Sequence, residues 1–274
     1  MPPLGMSRNL KITLAYRGAN FHGWQIQPGM RTAQGELTDA LQRLLRHPLT
    51  AHGASRTDAG VHAQGQVASV LTESTIPLAK LRRALADRLP DDMALIQMDE
   101  TPAGFHASHS ALGKLYRYRI HNHSVRPVER LEAENTWHVW HALDTKPMQA
   151  AARLLTGTHD FAGFASAGSQ PRRTTVRTIT RFDVRRWFRQ VVLDVAGDGF
   201  LYNQVRNMVG TLVEIGRGHW PVERVSEVLA ACDRRLAGPT APPQGLCLQW
   251  VRYAAWPDDD GAGPKQSGTE PDSL

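Results

Sequence analysis

The chain has 274 residues, 41% of them hydrophobic and 21% charged, which is enough to bury a sizeable core without staples and is ordinary for a globular protein; no apolar run is long enough to span a bilayer. Two cysteines, Cys232 and Cys247, exclude a disulfide scaffold and read as buried thiols of a reducing compartment. The net charge of +6 hides an asymmetry, because residues 257–274 carry five acids and one base, leaving 31 bases against 21 acids, a net +10, on residues 1–256.

A body this basic points to a polyanionic partner. The acidic tail, rich in Gly, Pro and Ser, has too few apolar residues to order itself and reads as disordered. Met1 to Arg8 lacks the apolar stretch of a signal peptide, so a cytoplasmic location is expected.

In chain order, Asn9 to Tyr16 alternates apolar and polar residues as a strand does, and a polar, Gly-containing loop follows from Arg17 to Thr32. Leu37, Leu41, Leu44 and Leu45 form one face of a helix. Gly53 to Gly65 reads as a loop and Gln66 to Leu71 as a strand. Leu78, Leu81, Leu85 and Leu89 mark a second helix stopped by Pro90, and Ala94 to Met98 a short strand. Lys114 to His121 alternates Leu115, Arg117 and Arg119 with Tyr116, Tyr118 and Ile120, as a half-exposed antiparallel strand would. Asp144 reads as the cap of a helix that runs through Leu155 to a stop at Gly157. Thr178 to Val184 and Gln190 to Val195 read as paired strands. Asn203 to Ile215 and Val222 to Cys232 read as helices, and Leu246 to Tyr253 as a closing strand. Strands and helices mix without strict alternation, which argues an α+β fold with antiparallel sheet.

The most unusual stretch is Gly53-Ala54-Ser55-Arg56-Thr57-Asp58-Ala59-Gly60-Val61-His62-Ala63. Small residues at its ends allow close approach of backbone and substrate. Arg56 favours the ionised form of Asp58, and a carboxylate serves as nucleophile or base. Taken alone, the stretch reads rather as a tight turn in which Asp58 caps a helix or pairs with Arg56.

This stretch resembles the catalytic loop of the TruA family of tRNA pseudouridine synthases, whose usual form is Gly-Arg-Thr-Asp-Ala-Gly-Val-His-Ala; here Ser55 replaces the leading Gly. Four further segments resemble the family in the same order: Tyr16 to Gln25 with Thr32 to Leu37, Lys114 to Tyr118, Phe200 to Gly210, and Thr240 to Leu246. Together they cover about residues 9–253. The resemblance implies the pseudouridine synthase fold, with two antiparallel-sheet α+β halves flanking a basic RNA-binding cleft. The halves would be residues 1–110, carrying the Asp loop, and 111–256, followed by the tail at 257–274. It also implies a homodimer that acts on uridines of the tRNA anticodon stem-loop with no metal and no cofactor. Asp58 would be the catalytic carboxylate, Tyr116 would stack on the uracil, and Arg206 would pair with Asp58, holding it ionised and aimed. Arg56 would contact the RNA backbone or help extrude the base. Core packing, the bland reading of Tyr116, suits Tyr118 better.

Phosphate contacts would make binding salt-sensitive, with Arg82, Arg83, Arg172, Arg173, Arg185, Arg186 and Arg217 as candidates. Where the family has Phe-His-Ala-Arg, this chain has Phe105-His106-Ala107-Ser108-His109, so a basic contact is missing or moved to His109. His52, His62, His106 and His109 show no metal-ligand spacing and read as ordinary polar histidines. Two rival readings remain: a tRNA-binding or folding-assistant protein with little catalysis, and a hydrolase of nucleoside bonds. The first would not need Asp58, Tyr116 and Arg206 together. The second usually needs a second carboxylate, which the loop lacks.

Overall fold

A computed structural model of the chain describes residues 7–167 and 174–253. The acidic tail, Arg172 and Arg173 lie outside the described residues. In chain order the elements are β1 (Arg8–Tyr16), α1 (Ala33–Leu45), β2 (His52–Gly53), β3 (His62–Thr72), α2 (Leu78–Ala86), β4 (Met93–Thr101) and β5 (Ala111–Asn122). There follow α3 (Arg130–Asn135), β6 (Trp137–Val139), α4 (Thr145–Leu154), β7 (Gly157–Asp160), β8 (Val176–Trp187), β9 (Gln190–Gly197), α5 (Gln204–Gly216), α6 (Arg224–Ala231) and β10 (Leu246–Tyr253).

The strands form one sheet in the order β4-β1-β3-β10-β5-β9-β8-β7, with β2 on β3 and β6 on β5. Strands β4, β1 and β3 are thus joined to β5, β9, β8 and β7 through one further strand. β10 does the joining: it runs parallel to β3, opposite His62 and Ala63, and antiparallel to β5 from Leu246–Tyr118 to Tyr253–Ala111. Alternation then sorts the residues by face. Leu10, Ile12, Leu14 and Tyr16 on β1 are buried, and one core runs from them through Tyr116, Tyr118 and Ile120 to Met208 and Leu212 of α5.

The helix starts follow from local chemistry. The Thr32 hydroxyl accepts from the Gly35 amide at 3.2 Å and opens α1, which buries Leu37 and Leu41 completely. Asp144 accepts from the Lys146 amide at 2.9 Å and opens α4. On the opposite face of β5, Arg117 grips Asp194 of β9 with two hydrogen bonds of 2.7 and 2.9 Å, and Arg185 joins them. Burial alone would push the Asp194 carboxyl up, but the arginines outweigh it and hold the group below its ordinary pKa.

The structure departs from the sequence reading in four places. β3 begins at His62, so His62 to Gly65 belongs to the strand and not to the loop. Tyr116 and Tyr118 both point into the core, because residues two apart on a strand share a face. Cys232 is exposed, since it is the left-handed residue that ends α6. β2, α3, β6 and β7 were not anticipated, β2 taking Gly53 from the expected loop; all four are short, of two to six residues.

The Tyr118 ring lies under Gly245, and its hydroxyl donates to the Pro242 carbonyl at 2.6 Å. Tyr118→Phe is expected to lower stability by about 1 kcal/mol, the net worth of one such bond. Urea unfolding checks this through a lower midpoint at unchanged slope.

Candidate active site

Three segments distant in sequence meet on the core face of the sheet: the loop from Ala54 to Val61, the middle of β5, and the start of α5. The loop is held from below. Gln66, fully buried on β3, donates from its amide to the Ser55 carbonyl at 2.6 Å and accepts from the Ser55 amide at 3.2 Å. The Tyr16 and Thr57 hydroxyls bond each other at 2.7 Å, and those of Ser55 and Tyr116 do the same at 2.7 Å. Lys114 donates to the Ala54 carbonyl at 2.7 Å. From above, the Trp24 amide donates to the Thr57 carbonyl at 2.9 Å. Gly23 makes that approach possible: its φ is +88°, and a Cβ there would sit 2.7 Å from the Thr57 oxygen.

This clamp leaves Asp58 partly exposed beside the start of α5. Asp58 caps no helix among the described residues; the only helix-like feature is a turn closed from the Val61 amide to its carbonyl at 3.1 Å. Its side chain is 23% exposed, and the facing cation is Arg206, whose Nη1 lies 3.5 Å from Oδ2. Arg206 is itself anchored: Nε donates to the Ala241 carbonyl at 2.7 Å and Nη1 to Asn203 Oδ1 at 2.9 Å. Asn203 precedes α5 with φ +58°, a left-handed conformation that Asn tolerates.

The electrostatics correct the local reading. Burial raises the Asp58 pKa above its ordinary value, and Arg206 opposes that rise without cancelling it. One countercharge comes from 148 positions away, on Arg206; Arg56 is exposed. A carboxylate with a raised pKa is a stronger base than an ordinary aspartate. Burial likewise pushes the Tyr116 phenol up, so it stays neutral. Tyr116 is 6% exposed and meets the edge of Phe200 at a ring separation of 5.4 Å.

Of the sequence-derived site residues, the structure brings Asp58, Arg206 and Tyr116 together and leaves Arg56 on the rim of the same loop. Of the phosphate candidates, Arg185 is bound to Asp194, Arg186 to Asn122 and the Leu143 carbonyl, and Arg217 to Glu214. Arg82 and Arg83 are exposed on α2. His62 accepts from the Gly18 amide at 3.1 Å, and burial lowers its pKa. His106 stacks on His109, and His52 meets His106 at a tilt. Among the described residues, no group of three or more His, Cys, Asp or Glu is placed to hold a metal ion. Gln66, Tyr16, Thr57 and Asn203 were not singled out beforehand. The available signal was Gln66 itself, an amide among the apolar residues of a strand.

The family model for tRNA pseudouridine synthase matches residues 12–110 and 151–254. The chain is 45% identical over 247 residues to "tRNA pseudouridine synthase A" of Geobacter sulfurreducens, covering 90% of this chain and all of that protein. It is 46% identical over 246 residues to "tRNA pseudouridine synthase A" of Moorella thermoacetica, covering 89% and 99%. A solved Cbf5-Nop10-Gar1 complex contains a chain 13% identical, with TM-score 0.34, over 87% of this chain and 57% of that one; this likeness is too distant to carry an argument.

Proposed function

The chain belongs to the tRNA pseudouridine synthase family, and from that premise we propose how its own residues divide the isomerisation of uridine to pseudouridine in tRNA. In the reaction the bond from C1′ to uracil N1 breaks, the base turns, and C1′ bonds to C5, which gives up its hydrogen as a proton while N1 takes up a proton in its place. Asp58 acts at the ribose, as nucleophile on C1′ or as base toward C2′. The observation that carries this role is the placement of one partly exposed carboxylate, on a loop clamped from both sides, against one anchored arginine. Arg206 aims Asp58 and balances its charge. Tyr116 contacts the uracil, a role a neutral aromatic ring fills at little entropic cost. Arg56, exposed beside Asp58, meets the RNA backbone or takes the place of the extruded base.

The substrate region is the anticodon stem-loop, and the enzyme works where tRNA is, in the cytoplasm. No helix among the described residues is long and apolar enough to cross a membrane. The working form is a homodimer. Supporting it, Trp187 and Phe188 at the β8–β9 hairpin and Val128 and Leu131 near α3 are 68–95% exposed, apolar surface that a second copy would cover.

The test is release of tritium from unmodified tRNA carrying 5-³H-uridine. Release without free uracil supports the isomerase. Free uracil would mean a hydrolase, and tRNA binding without release would mean a binding protein.

A further inference from the structure

We infer that Ser55 is a positioning residue for Tyr116, one that fixes the ring against which the target base is placed. The inference rests on the reading of Tyr116 as the base-contacting residue.

Ser55 Oγ and the Tyr116 hydroxyl lie 2.7 Å apart, and both residues are buried, at 9% and 6% exposure. A hydrogen bond shielded from water in this way is directional and costly to lose. Ser55 is not free to follow a moving ring, because Gln66 holds both its amide and its carbonyl. The phenol is therefore tethered at its tip to a fixed point, while the Phe200 edge meets the ring at an interplanar angle of 86°. Tip and flank together set the plane of the ring. A ring already held in its working plane loses little freedom when a base is laid against it. Glycine at position 55, the residue of the family loop that this stretch resembles, has no hydroxyl and would leave the phenol without this tether. The same loop carries Asp58 three residues on, so the tether also ties the position of the ring to that of the carboxylate.

The experiment is single-turnover tritium release, with tRNA affinity and thermal melting measured in parallel, on Ser55→Ala, Ser55→Thr, Tyr116→Phe, Tyr116→Leu and the double variant Ser55→Ala/Tyr116→Phe. Ser55→Ala and Tyr116→Phe are each expected to slow the single-turnover rate about fivefold to tenfold, the worth of one such bond, at unchanged tRNA affinity. The double variant is expected to be no slower than the slower single variant, because both changes remove the same contact. Ser55→Thr, which keeps the hydroxyl, retains the rate. A wild-type rate in Ser55→Ala with Tyr116→Leu inactive would overturn the role of Ser55 alone. Additive losses in the double variant, or melting shifts with unchanged rates, would overturn it as well. A fully active Tyr116→Leu would remove the reading of Tyr116 and this inference with it.

Discussion

Asp58→Asn is expected to reduce tritium release about 1,000-fold or more and at the same time to raise the melting temperature at neutral pH. The first effect follows from losing the one carboxylate of the clamped loop, which faces Arg206. The second follows from the direction of its pKa. Burial raises the Asp58 pKa in the folded chain above the ordinary 3.8, so the folded state holds this proton more tightly than the unfolded state does. Stability is therefore lost as pH rises from the ordinary value through the folded one, and the loss stays constant above it. An uncharged Asn escapes that loss. Its advantage should be present at pH 7 and vanish as the pH is lowered through and below 3.8, where the native Asp58 becomes protonated in both states. Melting curves of both proteins at the two ends of this range check the claim. An Asn variant that melts lower than the native protein at pH 7 would mean that Arg206 stabilises the ionised carboxylate more than burial opposes it. An active site that costs stability is the expected signature of a group held for chemistry and not for the fold.

Gly210→Ala is expected to destabilise by about 3 kcal/mol or more and to lower activity as well. In the interior of a helix this exchange ordinarily helps by about 1 kcal/mol. Here a Cβ on Gly210 would overlap the Pro239 carbonyl oxygen, and one on Gly238 would lie 2.6 Å from the Thr211 amide nitrogen. The segment from Gly238 to Ala241 thus runs against the bare backbone of α5, stitched there by the Gly238 amide to the Thr211 hydroxyl at 2.8 Å and by the Ala241 amide to the Arg206 carbonyl at 3.1 Å. A methyl group at 210 pushes that segment away and takes with it the Ala241 carbonyl that anchors Arg206. Urea unfolding and tritium release on the same preparation check both effects. A variant as stable as the native protein would mean that the segment is not packed this closely.

Much of this was legible in the sequence. The alternation of β1 and β5 and the leucine spacing of α1 reflect burial on one side, and burial on one side leaves a period that composition cannot hide. The ordered motifs placed Asp58, Tyr116 and Arg206 in one reading before any distance was known. What could not be read was set by contacts across the chain. The sign of the Asp58 shift depends on how much of the loop other segments cover, and the opposing charge is Arg206, far away in sequence. The roles of Gln66 and Asn203 are hydrogen bonds to partners fixed only by the fold. Arg185, Arg186 and Arg217 looked like free cations because a sequence does not show which charges are already engaged. That β10 joins β3 to β5 within one sheet is a matter of long-range pairing, on which local pattern is silent.

The central position of β10 has a consequence for how the molecule is made. β1, β3 and β4 leave the ribosome first, and β5, β8 and β9 later, yet the strand between the two groups is the last of the described elements to be synthesised. Until residues 246–253 emerge, β3 and β5 each wait with part of one edge uncovered, the kind of edge that invites pairing with the wrong chain. Nascent chains of this protein therefore carry these uncovered stretches throughout synthesis of the residues between β5 and β10, and a stop codon just before β10 should yield two unjoined groups of strands in place of a smaller enzyme.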